Sequence, residues 1–141
     1  MFQPNLNHEQ KNIFGFESSL PSKLLKELYE SEEYYFYKII FNNIKEEPFR
    51  VLYSDKASRP NAPVNCLVSA ILLKEKYHWT YEQLFKRLHF DLLTKTALGL
   101  DSLDDIPFDD ATIFNFQNRL LKHQLETGED LIEQVFDSLT K

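Results

Sequence analysis

Three glycines in 141 residues leave this chain few sites for the tight, left-handed turns that a fold of many short strands requires. Leu, Lys and Glu, residues that lose little freedom in a helix, are common among the rest. The expectation is therefore an all-α fold. With hydrophobic residues at 43% and aromatics at 14%, the chain has enough apolar surface to build one core of ordinary domain size.

Helical spacing recurs along most of the chain. After a polar stretch with scattered aromatics (residues 1–18, read as an N-terminal arm), Leu20-Pro21-Ser22 marks a helix start followed by Leu24, Leu25 and Leu28. Phe36, Ile40 and Ile44 recur at i, i+4, i+8 and predict a helix over Tyr34–Asn43. Pro48, Pro60 and Pro63 interrupt the pattern across Glu46–Pro63, which reads as a connection. From Val64 a broad apolar face, Val64, Leu67, Val68, Ile71 and Leu72, predicts a helix to Tyr77. Thr80 and Gln83 have the spacing of a capping box at the head of a helix carrying Tyr81, Leu84, Phe85 and Leu88. A short helix over Leu92–Leu98 should stop at Gly99. Asp109 or Asp110 should cap a helix to about Gln124, with Ile113, Phe116 and Leu120, flanked by Phe114 and Leu121, turned inward. After Thr127-Gly128 a last amphipathic helix carries Leu131, Ile132, Val135, Phe136 and Leu139. It meets the terminus without a Gly or Pro stop, so the expectation is a piece of a longer protein. The count is roughly six helices in one helical domain over residues 19–141.

Several chemistries lack their residues. Cys66 is the single cysteine, so no internal disulfide can form, and its apolar surroundings read as a small buried thiol. His8, His78, His89 and His123 make no HxxxH or HxH pair, which argues against zinc. No glycine-rich phosphate loop or GxSxG is present. The acids Asp104, Asp105, Asp109 and Asp110, with Glu126, Glu129, Asp130 and Glu133, read as helix caps and solvated surface near helix starts rather than as a metal site. No apolar run reaches the roughly 18 residues of a membrane span, and Met1–Gln10 lacks the apolar core of a signal peptide. A cytoplasmic protein without membrane contact is the expectation.

The formal net charge of −6 is unevenly spread: residues 1–43 carry −2, residues 44–100 carry +3 and residues 101–141 carry −7. Bulk attraction to nucleic acid is thereby disfavoured, but a modestly basic middle remains. Two surfaces compete for a phosphate backbone. The helices either side of Tyr77–Trp79 have the layout of a helix-turn-helix, with Lys74, Lys76, Lys86 and Arg87 placed for phosphates. Alternatively, Asn115, Asn118, Arg119 and Lys122 fall at i, i+3, i+4, i+7 on the polar side of one helix. Asparagine pairs with adenine and arginine with guanine in the major groove.

The order of motifs over residues 58–120 carries a family resemblance. Ser58-Arg59-Pro60, the apolar helix Val64–Tyr77, Thr80–His89, Ala97-Leu98-Gly99-Leu100 and the Asp-capped helix Asp109–Leu120, with Arg119-Leu120 at its end, resemble the N-terminal helical domain of insertion-sequence transposases of the InsH type. The Leu20-Pro21 helix is more loosely similar. Two departures stand out: the Asn115–Asn118 helix is poorer in basic residues than in typical members, and the loop Asp101–Asp105 is long and acidic. The resemblance implies a DNA-handling parent protein in which a separate RNase H-like domain, C-terminal to this chain and absent from it, uses three carboxylates and two Mg²⁺ ions. It implies for this chain a non-catalytic, cofactor-free role: binding the inverted-repeat ends of the element, with Arg59 added to the candidate contacts. Packing against the catalytic domain or a second protomer would accompany that role. Two other readings stay open, a protein-interaction module without DNA contact and a free-standing helix-turn-helix regulator.

Overall fold

The computed structural model of the protein describes residues 2–9, 15–53 and 61–139. Among them are eight α-helices and three short 3₁₀ turns, the first of them η1 (Asn7–Glu9), and no strand. Arg59 and the rest of Ser58-Arg59-Pro60 lie outside the described residues.

The chain is built around α4 (Val64–Tyr77), in which every residue from Val64 to Leu73 is buried. A helix apolar nearly all round belongs inside a fold rather than at its surface. The polar members of that run are accommodated individually. Asn65 accepts a hydrogen bond from Asn5 Nδ2 at 2.8 Å and donates one back to the Asn5 carbonyl at 3.2 Å. Cys66, 1% exposed, points its Sγ to the Leu98 carbonyl at 3.4 Å, and burial pushes its thiol pKa well up. It is the inert, buried thiol expected.

The helices and 3₁₀ turns from Glu32 onward share one core cluster with this helix, while Phe16 and Leu28 are buried outside that cluster. Helix α1 (Phe16–Ser19) is a single turn that buries Phe16, and α2 (Ser22–Tyr29) begins at Pro21 as the sequence indicates. The helix expected over Tyr34–Asn43 divides into α3 (Glu32–Ile39), capped by Ser31 accepting the Tyr34 N–H at 3.1 Å, and a 3₁₀ turn, η2 (Phe41–Asn43). The proline-interrupted connection holds another 3₁₀ turn, η3 (Glu47–Leu52), whose Phe49 is completely buried. Pro48 sits in its first turn, where a missing N–H costs nothing; the proline that broke the helical pattern therefore starts a tighter one.

Helix α5 (Tyr81–Phe90) opens with the predicted capping box, Thr80 accepting the Gln83 N–H at 3.1 Å while Gln83 accepts the Thr80 N–H at 2.9 Å. Helix α6 (Leu92–Ala97) is followed by Gly99 at φ +74°. Asp109, rather than Asp110, caps α7 (Asp110–Thr127), accepting the Thr112 N–H at 2.9 Å. With 18 residues α7 is the longest element, running three residues past the expected end to Gly128 at φ +79°. Helix α8 (Leu131–Leu139) starts at Asp130, which accepts the Glu133 N–H at 3.1 Å, and buries Leu131 and Val135.

Candidate nucleic-acid interface

The two competing basic surfaces fare differently once side chains are placed. Around the α4–α5 corner the cations are turned onto the protein itself. Lys74, whose side chain is only 17% exposed, rests its amine 4.6 Å over the Tyr81 ring and lies 3.3 Å from Glu75. Lys76 reaches across to α3, where its Nζ meets Glu32 at 2.6 Å. That hydrogen bond raises the lysine pKa and lowers that of the glutamate. Arg87 lies 4.7 Å over the Trp79 ring and pairs with Asp91 at 3.2 Å. Lys86 is exposed. The turn joining the helices is made possible by His78 in the left-handed region at φ 57°, and its Trp79 stacks on Tyr77 at 5.1 Å.

On α7 the arrangement is opposite. Asn115, Asn118, Arg119 and Lys122 are all exposed. At 100° per residue they occupy one band of the helix, so the structure keeps together the four residues that spacing grouped. Arg119 is additionally steadied, its guanidinium 5.0 Å over the Tyr53 ring. Burial raises the Tyr53 phenol pKa, and the neighbouring Arg119 charge and hydrogen bond pull it the other way. An arginine resting on a half-buried ring loses less freedom when its fork engages a second group.

The inward face of α7 is narrower than expected. Ile113 and Phe116 are buried and Leu120 packs on the core. Phe114 and Leu121, however, are 40% and 54% exposed, and Leu125 is 77% exposed. Residues 114, 121 and 125 repeat at i, i+7, i+11 and so fall within one narrow strip, on the side away from Phe116 and Leu120. The helix is thus apolar along two separate strips, with the polar band on the wider arc between them. At its N-terminal end Phe114 meets Tyr81 and Phe85 of α5 at 4.9 and 5.8 Å. This contact makes α5 and α7 neighbours.

Two influential residues were not singled out by sequence reasoning. Tyr53 follows a proline-broken stretch and carries no periodic signal. Lys95 looks like a solvated residue of a short helix, yet it is fully buried and donates to the Asp105 carbonyl at 2.6 Å. Of the acidic residues, Asp109 and Asp130 cap helices; among the described residues no three His, Cys, Asp or Glu stand close enough to hold a metal ion. No helix among the described residues is long and apolar enough to cross a membrane.

No curated protein and no solved structure matches the chain. The family model described as "Transposase domain (DUF772)" matches residues 23–119, which spans α2 to most of α7 and more than two-thirds of the chain. That match takes in the α4–α5 surface and Asn115, Asn118 and Arg119 of the α7 band, though not Lys122, and the chain belongs to this transposase domain family.

Proposed function

We propose that this domain recognises the inverted-repeat ends of a mobile element and that α7 is the helix that reads them. The observation behind this reading is the exposed band Asn115, Asn118, Arg119 and Lys122 on the longest helix, with Arg119 held on Tyr53 at 5.0 Å. A helix of 18 residues extends about 27 Å, enough to lie along a major groove. Its side chains are of the types that pair with purine edges. The α4–α5 pair is the weaker reader because Lys74, Lys76 and Arg87 already have partners within the chain. Cutting and rejoining belong, on this reading, to a separate RNase H-like DDE domain of an InsH-type parent, which would hold Mg²⁺. This domain contributes recognition and assembly, alone or as a homodimer.

The test is fluorescence anisotropy with the terminal repeats flanking the encoding gene and with scrambled DNA, across a salt series. Preference for the repeat and affinity falling steeply with salt are expected. Arg119→Ala should weaken binding by about 1–3 kcal/mol and relax preference, and Lys122→Ala should reduce the salt slope by about 1. Lys76→Ala should leave both unchanged. Absence of binding to either DNA at low salt would overturn the reading, as would equal losses from Arg119→Ala and Lys76→Ala.

A second reading is favoured by a specific feature, the exposed strip Phe114, Leu121 and Leu125. On it α7 meets protein rather than DNA, and sedimentation of the isolated domain and of Leu125→Lys would show a concentration-dependent dimer that the variant loses.

A further inference from the structure

The 3₁₀ turn η3 is fastened to α7 by one ring pair and meets it again one turn further on. Phe49, completely buried, lies 5.9 Å from Phe116. Tyr53 stands just past the end of η3, and Arg119 one turn beyond Phe116 on α7. There the guanidinium covers the Tyr53 ring at 5.0 Å. The ring is itself held in place. Its backbone N–H donates to the Arg50 carbonyl at 3.1 Å, and it lies 5.8 Å from the ring of Phe2, which is 7% exposed. Phe2 carries a guanidinium of its own, Arg50 at 4.9 Å, but that charge is taken up by Glu47 at 2.7 Å. Arg119 is held by an uncharged ring instead, a contact that orders the guanidinium without neutralising it.

A phosphate and a base edge ask different things of an arginine. A phosphate attracts the charge from a range of directions, whereas a guanine edge is met by two N–H groups in a fixed fork. Arginine has large rotamer freedom, and a side chain that must be ordered on binding gives up affinity wherever the ordered geometry is used. A ring that orders Arg119 beforehand therefore acts on base contacts, which specify, more than on phosphate contacts, which position. We infer that Tyr53 is a positioning residue: it fixes the Arg119 guanidinium and so sets how strongly α7 prefers one DNA sequence, while adding nothing to sequence-independent affinity. Tyr53 takes this part on the reading of α7 proposed above, as a determinant of preference that lies outside the polar band, on the neighbouring element.

Tyr53→Leu, Tyr53→Phe, Arg119→Ala and Tyr53→Leu combined with Arg119→Ala are compared with the parent on the terminal repeat and on scrambled DNA across a salt series. Tyr53→Leu should lower the preference for the repeat about fivefold, with its affinity for scrambled DNA and its salt slope unchanged. Tyr53→Phe keeps the ring and should keep the preference within about twofold. The combined variant should prefer the repeat no less than Arg119→Ala alone, because the ring acts only through that guanidinium. Unfolding lowers binding to both DNAs alike, so a Leu variant that loses both equally overturns the proposal. Parental preference in that variant, or a combined variant weaker than Arg119→Ala, overturns it too. The ¹⁵N order parameter of Arg119 Nε, measured without DNA, separates this outcome from failure of the recognition reading. It should fall in Tyr53→Leu and hold in Tyr53→Phe, and an unchanged value in Tyr53→Leu overturns the positioning whatever the DNA results. A fallen order parameter with no parental preference for the repeat would instead strike recognition by α7, and the effect on preference with it, while confirming that Tyr53 orders Arg119.

Discussion

Lys95 has no exposed surface on a six-residue helix, and its amine gives a hydrogen bond to the Asp105 carbonyl at 2.6 Å. Burial lowers its pKa, and Asp105 and Asp104 oppose that shift. The ammonium therefore works as a tether for the acidic loop. Lys95→Ala removes both tether and volume and should destabilise by about 2–4 kcal/mol. Lys95→Met keeps the volume, relieves a buried charge and should fall within about 1.5 kcal/mol of the parent. In both variants the amides of Asp104 to Ile106 should exchange faster. A Met variant as unstable in urea as the Ala variant would show that the charge rather than the volume is what the site needs. Glu46 offers the complementary case. It accepts the Asn5 N–H at 2.9 Å, and its second oxygen faces the first N–H groups of α4, at Val64 and Asn65, without closing a bond. Burial raises its pKa from the usual carboxylate value, those N–H groups working against the shift. A raised folded-state pKa means the folded protein keeps a proton that the unfolded chain has released, so this group's contribution falls as pH rises from about 4.5 through the raised value. Glu46→Gln should match the parent in Tm near pH 4 and exceed it by about 2 °C or less at pH 7, a small gain because the site is partly solvated.

The ends of the elements were the most legible part of the fold, because a cap is a local arrangement of two or three residues. Thr80 with Gln83, Asp109 with Thr112, and Gly99 all stand where the sequence places them. The two cap glycines differ in their surroundings. Gly128, at φ +79°, has nothing within 4 Å of where a Cβ would sit, while at Gly99 that atom would meet the His8 Cβ and the Phe41 ring at 2.9 Å. Gly128→Ala should therefore lose about 1 kcal/mol from backbone strain alone. Gly99→Ala should lose about 2–4 kcal/mol, since overpacking is added. Equal melting of the two variants would contradict this. Less legible were helix faces and breaks. Phe114 and Leu121 were read as flanks of the inward face because hydrophobicity alone does not say which of two apolar sides of α7 the body covers. The break between α3 and η2 goes with the burial of Phe41, and the Pro48 turn buries Phe49, placements in the core that no local pattern carries.

For the molecule as a whole, composition and periodicity reach the helical class, and the ordered motifs of residues 58–120 reach the family. The candidate contacts were legible as residue types and spacings. Which of them stay outward was not, because Lys74, Lys76 and Arg87 are claimed by Tyr81, Glu32 and Asp91, neighbours that only the fold supplies. The reciprocal hydrogen bonds of Asn5 and Asn65 carry one more implication. The family match begins at residue 23, but Phe2 joins the core cluster, Asn5 bonds Asn65 of α4, and the Phe16 N–H donates to the Asp101 carbonyl, the last two partners lying inside the matched range. The boundary of shared ancestry and the boundary of cooperative folding thus fall at different places in this chain. A version starting at residue 20 would keep the whole stretch that the family model matches, yet leave the Asn65 amide, 4% exposed, without its partner. It should melt lower, and its Cys66 should react with a thiol reagent under native conditions at which the full chain stays protected.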